Sequence, residues 1–124
     1  MTCPCGNNLD YSQCCQQIHH NPRLATSPES LMRARYTAFT QQNIDFLYDT
    51  FDPSTRRFQS KKDIKQWSVE NKWIGLEVLK TTPNTVEFKA HYLDINLTPQ
   101  VHHEKSNFKK AQDTWYYLDG IQLT

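Results

Sequence analysis

Four segments with alternating polar and apolar residues decide the fold of this chain: KWIGLEVLKTT (72–82), TVEFKAHYLDIN (85–96), HHEKSNFKKAQ (102–112) and DTWYYLDG (113–120). Alternation with a period of two places successive side chains on opposite faces, which is typical of a β-strand. Turn residues separate the segments at Thr82-Pro83-Asn84, Leu97-Thr98-Pro99 and Ala111-Gln112-Asp113. The sequence therefore predicts four consecutive antiparallel strands.

The preceding part of the chain carries apolar residues at helical spacing. Ser27-Pro28-Glu29 predicts the start of a first helix, because Ser favours the N-cap and Pro the first helical position. A second helix is predicted from Asn43 to the break at Asp52-Pro53-Ser54. Ser60, followed three residues later by Asp, resembles a capping box at the start of a third helix. Helices followed by an antiparallel sheet indicate an α+β domain with the helices on one face.

The bulk composition restricts the function. The chain has 124 residues, which is the size of one ordinary domain. Its formal net charge is +1 and its basic residues are scattered, so the sequence does not predict a nucleic-acid interface. No apolar run approaches the roughly 18 residues that a membrane span requires, and the N-terminus lacks the pattern of a secretory signal. We therefore expect a cytoplasmic protein with no membrane-embedded part.

The most specific chemical feature is a cluster of cysteines at the N-terminus. All four cysteines lie within the first fifteen residues, at positions Cys3, Cys5, Cys14 and Cys15. Disulfides rarely persist in the cytosol, where clustered cysteines more often bind a metal or do redox chemistry. Two close pairs joined by a short loop can surround one zinc ion, which prefers a tetrahedron of thiolates or imidazoles.

Other uses of these thiols stay open on spacing alone. Four cysteines allow three disulfide pairings, although a bridge within either close pair would form a very tight ring. A redox dithiol is a further alternative, but the CxxC spacing typical of that chemistry is absent. His19 and His20 are close enough in sequence to replace one cysteine as a metal ligand.

CPCG and CC, with eight residues between Cys5 and Cys14, together resemble the SEC-C motif, a zinc-binding tail of a bacterial translocation motor and of other bacterial proteins. The resemblance implies that Cys3, Cys5, Cys14 and Cys15 bind one zinc ion. Where the familiar motif continues with Ser-Gly-Lys-Lys, this chain has Asn-Asn-Leu-Asp and so lacks two basic residues. A closed set of four ligands leaves no open position for substrate, so the implied zinc is structural.

One charged residue lies among apolar neighbours on the first helix. At about 100° per residue, Arg35 falls on the apolar arc, where an unpaired charge would be very costly. Alternation along the third strand places His102, Glu104 and Ser106 on the same face as Phe108, which indicates the inner face. We predict that Glu104 pairs with Arg35, either as a structural salt bridge or within a ligand-anchoring or acid–base site.

Motifs along the rest of the chain agree in order with one family. LMRARYTAF, WIGLEVL, HEKSNF and WYYLDG together resemble the YchJ-like family of uncharacterised bacterial proteins. The resemblance implies a SEC-C-like zinc-binding motif over residues 1–20 (the knuckle), a linker over 21–27, and a cone-shaped domain of the nuclear transport factor two type over 28–124. In that fold a curved antiparallel sheet and its helices enclose a cavity.

Fold alone does not decide function, so two hypotheses follow. The main one is a small binding or adaptor protein whose knuckle contacts a protein partner, such as an export chaperone, and whose cavity binds a small ligand. The alternative is a cavity enzyme of the dehydratase or isomerase type that uses Glu104, Arg35 and a tyrosine. An Asp–His pair facing the cavity would favour the enzyme, whereas a cavity filled by aromatic side chains would favour a scaffold. His91 and His102 are interpreted as surface or strand residues.

Overall fold

A single antiparallel sheet forms the second half of the protein in the computed structural model, which describes residues 1–123. Each strand pairs with the next one along the chain, in the order β1-β2-β3-β4. The strands are β1 (Lys72–Thr81), β2 (Thr85–Leu93), β3 (Pro99–Ala111) and β4 (Thr114–Leu123). The predicted meander of four strands is confirmed.

Strand β1 departs from strict alternation at two bulges. Its register with β2 shifts between Trp73 and Gly75, and again between Val78 and Lys80. The first shift leaves Ile74 as an extra residue, so Trp73 and Leu76 both face the helices although they lie three positions apart. A bulge also bends its strand and increases the local twist, which curves the sheet around the helices.

Five helices precede the sheet. They are α1 (Cys15–His20), α2 (Pro28–Gln41), α3 (Ile44–Asp49), α4 (Pro53–Arg56) and α5 (Lys61–Glu70), with short 3-10 turns at Tyr11–Gln13 and Pro22–Leu24. Within the described residues, no helix combines the length and the apolar character needed to cross a membrane. The helices pack on the sheet, as the α+β prediction required.

Helix α2 begins at the predicted residues. The Ser27 side chain accepts a hydrogen bond from the backbone of Ser30, whose own side chain accepts one in return from the Ser27 backbone. Gln42 ends the helix in the left-handed conformation with φ 57°, and the side chain of Asn43 caps α3 directly afterwards. The sharp turn between α2 and α3 therefore comes from local capping chemistry.

The second predicted helix is shorter than its spacing suggested. Helix α3 ends at Asp49, and the next residues pair with β4. The backbone nitrogen of Asp52 donates to the Tyr117 carbonyl at 2.8 Å, and that of Tyr117 donates to the Thr50 carbonyl at 2.8 Å. Asp52 also caps α4, with Pro53 at its first position. The Asp-Pro pair therefore starts a helix that the sequence analysis did not predict.

Helix α2 forms the centre of the core. Leu31, Ala34 and Ala38 are fully buried, and the cysteines of the knuckle belong to the same apolar cluster. Between the knuckle and α2, residues 21–27 include the second 3-10 turn and the buried side chain of Ala25. One side of α2 therefore contacts the knuckle, while another side faces the sheet.

Candidate functional site

The four cysteines meet at one point, with all their sulfur atoms within 4.8 Å of one another. The Cys5 and Cys14 sulfurs are 3.6 Å apart, and those of Cys14 and Cys15 are 4.0 Å apart. A tetrahedral site with Zn–S bonds of about 2.3 Å would separate its sulfurs by about 3.8 Å. The donor set and its spacing therefore fit one metal ion bound by all four thiolates.

The backbone of the knuckle folds so that the two cysteine pairs face each other. The nitrogen of Cys3 donates to the Leu9 carbonyl at 2.8 Å, which closes the loop between the pairs. Gly6 lies in this loop with φ 94°, a conformation that favours glycine. Asp10 caps the following 3-10 turn through the backbone of Ser12, and that turn leads directly into Cys14.

Several side chains outside the cysteine set orient the cluster. The Asn7 amide donates to the Cys14 sulfur at 3.7 Å, and the Thr37 hydroxyl of α2 donates to the Cys15 sulfur at 3.4 Å. Arg33 Nη1 donates to the Cys5 carbonyl at 2.6 Å. Such outer contacts fix ligands in position and tune metal affinity. The sequence does not indicate the roles of Thr37 and Arg33, because their contacts cross from one helix to a distant part of the chain.

The cluster is closed and buried. Cys3, Cys5 and Cys15 are at most 3% exposed, while Cys14 is half-buried. Hydrogen bonding by Cys15 lowers the pKa of Cys5 to about 5, and the same contact raises the pKa of Cys15. One thiolate therefore forms readily, and a metal that binds here would displace the remaining thiol protons.

The two histidines next to the cluster do not join it. His19 contacts the Tyr11 hydroxyl through Nδ1 at 2.8 Å and the Ala34 carbonyl through Nε2 at 2.7 Å. Both ring nitrogens are therefore engaged elsewhere, and burial lowers the pKa of this imidazole. His20 is exposed and lies outside the group of converging ligand atoms. The substitution of a cysteine by either histidine is thus not supported.

A second polar cluster lies on the sheet side of α2, in a cavity of about 490 Å³. Aromatic side chains form much of the wall: Tyr36, Phe39, Phe51, Phe58, Trp67, Trp73, Phe88 and Tyr117. Arg35, His102, Glu104 and Ser106 supply polar groups to the same cavity. An apolar cavity of this size with a few convergent polar groups is typical of small-molecule sites.

Glu104 is the centre of this polar cluster. Its Oε1 contacts His102 Nε2 at 2.8 Å, and its Oε2 accepts hydrogen bonds from the Tyr117 hydroxyl at 2.7 Å and from Ser106. Burial opposes ionisation of Glu104, but these donors outweigh it and lower the pKa of the carboxyl group. Three neighbouring side chains therefore stabilise the ionised form of this carboxylate in the cavity.

Gly120 on β4 is required for this arrangement. A methyl group at this position would lie less than 3.0 Å from the Glu104 carboxylate and the Tyr117 hydroxyl. Contacts that short force the neighbours to move, so any larger residue would displace the carboxylate. The sequence alone did not indicate a role for this glycine.

The predicted ion pair between Arg35 and Glu104 does not form. Arg35 is 7% exposed, and its Nη1 donates to the Leu47 carbonyl at 2.8 Å and to the Thr50 hydroxyl at 2.6 Å. Tyr117 is the reason: its ring centre lies 4.5 Å from the guanidinium carbon while its hydroxyl binds Glu104. Both residues line the cavity, as the sequence analysis expected of the inner face, but an aromatic ring stands between them.

The roles of two cavity residues, His102 and Tyr117, were not predicted from the sequence. His102 is bonded to Glu104 and lines the cavity, whereas it was interpreted as an isolated strand residue. Its position two residues before Glu104, on the same face, was the available signal. The sequence does not reveal the role of Tyr117, because its contact with Glu104 depends on the register of β4.

Known proteins are similar to this chain both in the α+β domain and over nearly its full length. A family model described as "YchJ, middle NTF2-like domain" matches residues 27–120. A UPF0225 protein of Geobacter sulfurreducens is 38% identical over 128 residues, which cover 98% of this chain and 79% of that protein. A UPF0225 protein of Vibrio cholerae is 41% identical over 126 residues, which cover 97% of this chain and 82% of that protein.

Two solved structures are similar over the whole chain. The solution structure of a SEC-C motif containing protein from Rhodopseudomonas palustris matches with a TM-score of 0.91 and 34% identity, covering 100% of both chains. The crystal structure of a SEC-C motif containing protein from Psychrobacter arcticus matches with a TM-score of 0.83 and 33% identity, covering 100% of this chain and 84% of that one. The chain therefore belongs to the family of UPF0225 proteins and contains their YchJ-like, NTF2-like domain.

Proposed function

We propose that this protein is a zinc-stabilised binding protein. One structural zinc ion, bound by Cys3, Cys5, Cys14 and Cys15, fixes the knuckle to α2, and the cavity binds a small ligand. The observation that carries this proposal is the cavity of about 490 Å³, whose aromatic wall meets a small group of polar side chains. A reducing cytoplasm, which keeps the thiols free of disulfides, is part of the proposal.

The assignment of zinc follows from the donors. Four thiolates in a buried, closed cluster suit zinc, and the ion would supply cross-linking between the N-terminal loop and α1. The Thr37 and Arg33 contacts extend this cross-link to α2. Elemental analysis of the purified protein is expected to give about one equivalent of zinc. A folded protein that contains no metal would contradict the assignment.

Ligand binding can be tested with a neutral aromatic probe. Calorimetric titration with 2-naphthamide is expected to show saturable binding at one site. Ala90 lines the cavity and is 4% exposed, so Ala90→Met would fill part of the cavity and weaken binding of the probe. The matched control is Lys89→Met on the adjacent position of β2, which points to the other face. Equal binding by both variants would place the probe outside the cavity.

One observation favours an enzyme as the second candidate function. The His102–Glu104 pair faces the cavity, as an acid–base pair would, and within the described residues His102 Nδ1 has no hydrogen-bond partner. Glu104 holds the imidazole in position, so Nδ1 can accept a proton from a bound molecule. Exchange of the acidic α-protons of 2-tetralone in D2O, followed by NMR, tests this candidate. The enzyme hypothesis requires the α-protons to exchange faster with the natural protein than with a folded His102→Gln variant.

A protein partner at the knuckle is the remaining proposal, and the exposed apolar side chain of Leu9 supports it. Leu9 is 51% exposed on the loop between the cysteine pairs, although Cys3, Cys5 and Cys15 are buried. Affinity capture from bacterial lysate would compare the intact chain with Leu9→Ser. A protein captured only by the intact chain supports the adaptor, and identical captured proteins contradict it.

A further inference from the structure

Arg35 is a buried cation without a carboxylate partner. It is 7% exposed, and within the described residues no carboxylate oxygen lies within 4.0 Å of its guanidinium nitrogens. The rings of Phe51 and Tyr117 cover it, with centroids 4.6 and 4.5 Å from the guanidinium carbon. Burying a charge in this way is costly unless other groups compensate it. The aromatic contacts and the two neutral acceptors compensate the buried charge of Arg35 only in part.

The pattern of hydrogen bonds leaves one edge of this guanidinium free. Both observed bonds start from Nη1, which donates to Leu47 and Thr50. Nε and Nη2, which form a single straight edge of the planar group, have no partner within the described residues. In the part of the chain that the structure describes, the buried side-chain nitrogens that have no hydrogen-bond partner belong to Arg56, Trp73 and Trp115. Nε and Nη2 of Arg35 are not among them, so these two atoms keep some accessible surface. Arg35 lines the cavity, and that edge is therefore available to a bound molecule.

We propose that the ligand of this cavity is a flat aromatic carboxylic acid whose carboxylate binds the Nε–Nη2 edge of Arg35. Two parallel N–H···O bonds match the geometry of a guanidinium edge to that of a carboxylate. The aromatic body of the ligand then packs against Phe39, Trp67 and Trp73. This inference rests on the proposed ligand-binding function of the cavity and specifies the chemical class that it takes.

The other charged groups of the cavity leave this role to Arg35. Glu104 already accepts hydrogen bonds from His102, Ser106 and Tyr117, so its charge needs no cationic ligand. Asp119 lies exposed at the rim, where it accepts a hydrogen bond from Asn107 at 2.8 Å. Among the described residues, Arg35 is thus the charged group of the cavity that lacks an oppositely charged partner. The usual partner of a guanidinium is a carboxylate.

The outer part of the cavity suits an aromatic body. Phe58 lines the cavity but remains 72% exposed in the loop between α4 and α5. Trp67 stands beside Trp73 with ring centroids 5.8 Å apart and beside Tyr92 at 5.4 Å. Exposed and half-exposed rings next to an apolar cavity gain free energy when a flat apolar molecule covers them.

The experiment compares two probes that differ by one charge. Calorimetric titrations with 2-naphthoate and 2-naphthamide at pH 7 use the same ring system, so their difference isolates the acid group. We expect the natural protein to bind naphthoate about tenfold more tightly than the amide, since charge-assisted hydrogen bonds replace neutral ones. Arg35→Met should abolish the preference. Arg23→Met, which changes an exposed arginine that does not line the cavity, should retain it.

Each outcome separates the inference from the proposed function. If the natural protein binds both probes equally, or if Arg35→Met keeps the preference, the role of Arg35 is overturned while the cavity remains a binding site. If neither probe binds, the ligand-binding proposal fails together with the inference. Should Arg35→Met not fold, NMR of the natural protein decides: naphthoate must shift the Arg35 Nε–H signal, and the amide must shift it less.

Discussion

The cysteine cluster and the cavity cluster contact different sides of helix α2, and they differ in how completely their polar groups are paired. Around the cysteines, the sulfurs face one another, and the nearby Asn7 and Thr37 side chains donate to them. In the cavity, Glu104 contacts three neighbouring polar side chains, whereas the Nε–Nη2 edge of Arg35 has no partner among residues 1–123. A cluster that closes on itself stabilises the fold, and one that retains free donors beside open space can bind a ligand.

The largest expected effect concerns the cysteine cluster. Removing the metal with a chelator, or replacing Cys5 by Ser, should lower the free energy of unfolding by on the order of 5 kcal/mol, because binding of a structural metal is coupled to folding. Thermal denaturation followed by circular dichroism measures the change. The chelator should have no further effect on Cys5→Ser, and an unchanged melting temperature of the natural protein would contradict a structural metal.

The second effect tests how tightly the cavity cluster is packed. Gly120→Ala should destabilise the protein by about 2 kcal/mol, since its methyl group would displace the Glu104 carboxylate. Gly75→Ala is the matched control, because a methyl group there meets nothing within 4 Å. Urea denaturation of both variants provides the comparison. Equal stability of the two would show that the carboxylate moves without cost.

A smaller effect tests whether the Glu104 carboxylate is ionised, because its contribution to stability should then depend on pH. Glu104→Gln should cost about 1–2 kcal/mol at pH 7, where the hydrogen bonds to the ionised carboxylate are lost. Because folding lowers the pKa of Glu104, its contribution is present above the unfolded pKa near ~4.3 and is lost as the pH falls through the folded value. The difference from the natural protein should therefore shrink below about pH 4.

Urea denaturation at pH 7 and pH 3 measures this difference. The exposed Glu70 at the end of α5 supplies the control, and Glu70→Gln should change stability little at either pH. A Glu104→Gln deficit that stays constant across this range would mean that the carboxylate is not ionised in the fold.

The smallest effect concerns the outer contacts of the cysteine cluster. Thr37→Val removes the hydroxyl that donates to Cys15, with little change in side-chain volume. Zinc affinity, measured by competition with a chromophoric chelator, should fall about tenfold, at the lower end of the range for outer contacts. Thr37→Ser keeps the hydroxyl and should keep the affinity. If Val and Ser weaken zinc equally, the hydroxyl does not orient the ligand.

The two clusters also differ in how far the sequence could predict them. The cysteines lie within thirteen consecutive positions, Cys3 to Cys15, so their spacing alone indicated a common ligand site. The cavity cluster combines α2, β3 and β4, and alternation could assign its residues to a face but not to partners. The aromatic ring of Tyr117 decides which groups touch, and its place depends on a register shift between β3 and β4.

The same limit applies to the elements themselves. The strands and the start of α2 followed from local patterns, and they were predicted correctly. Helix α4 was not, because Asp52-Pro53 is equally able to end one helix and to begin the next. The end of α3 is set by hydrogen bonds from the segment Thr50–Asp52 to β4, which local spacing does not encode.

The two bulges of β1 have a consequence for association between copies of the protein. Strands β1 and β4 are the edges of the sheet, and a regular free edge is a template for intermolecular strand pairing. The bulges interrupt the row of donors and acceptors on β1 at two places. On β4, Tyr117 already pairs outward with Thr50 and Asp52. Both edges of the sheet therefore present an interrupted template for strand pairing between copies.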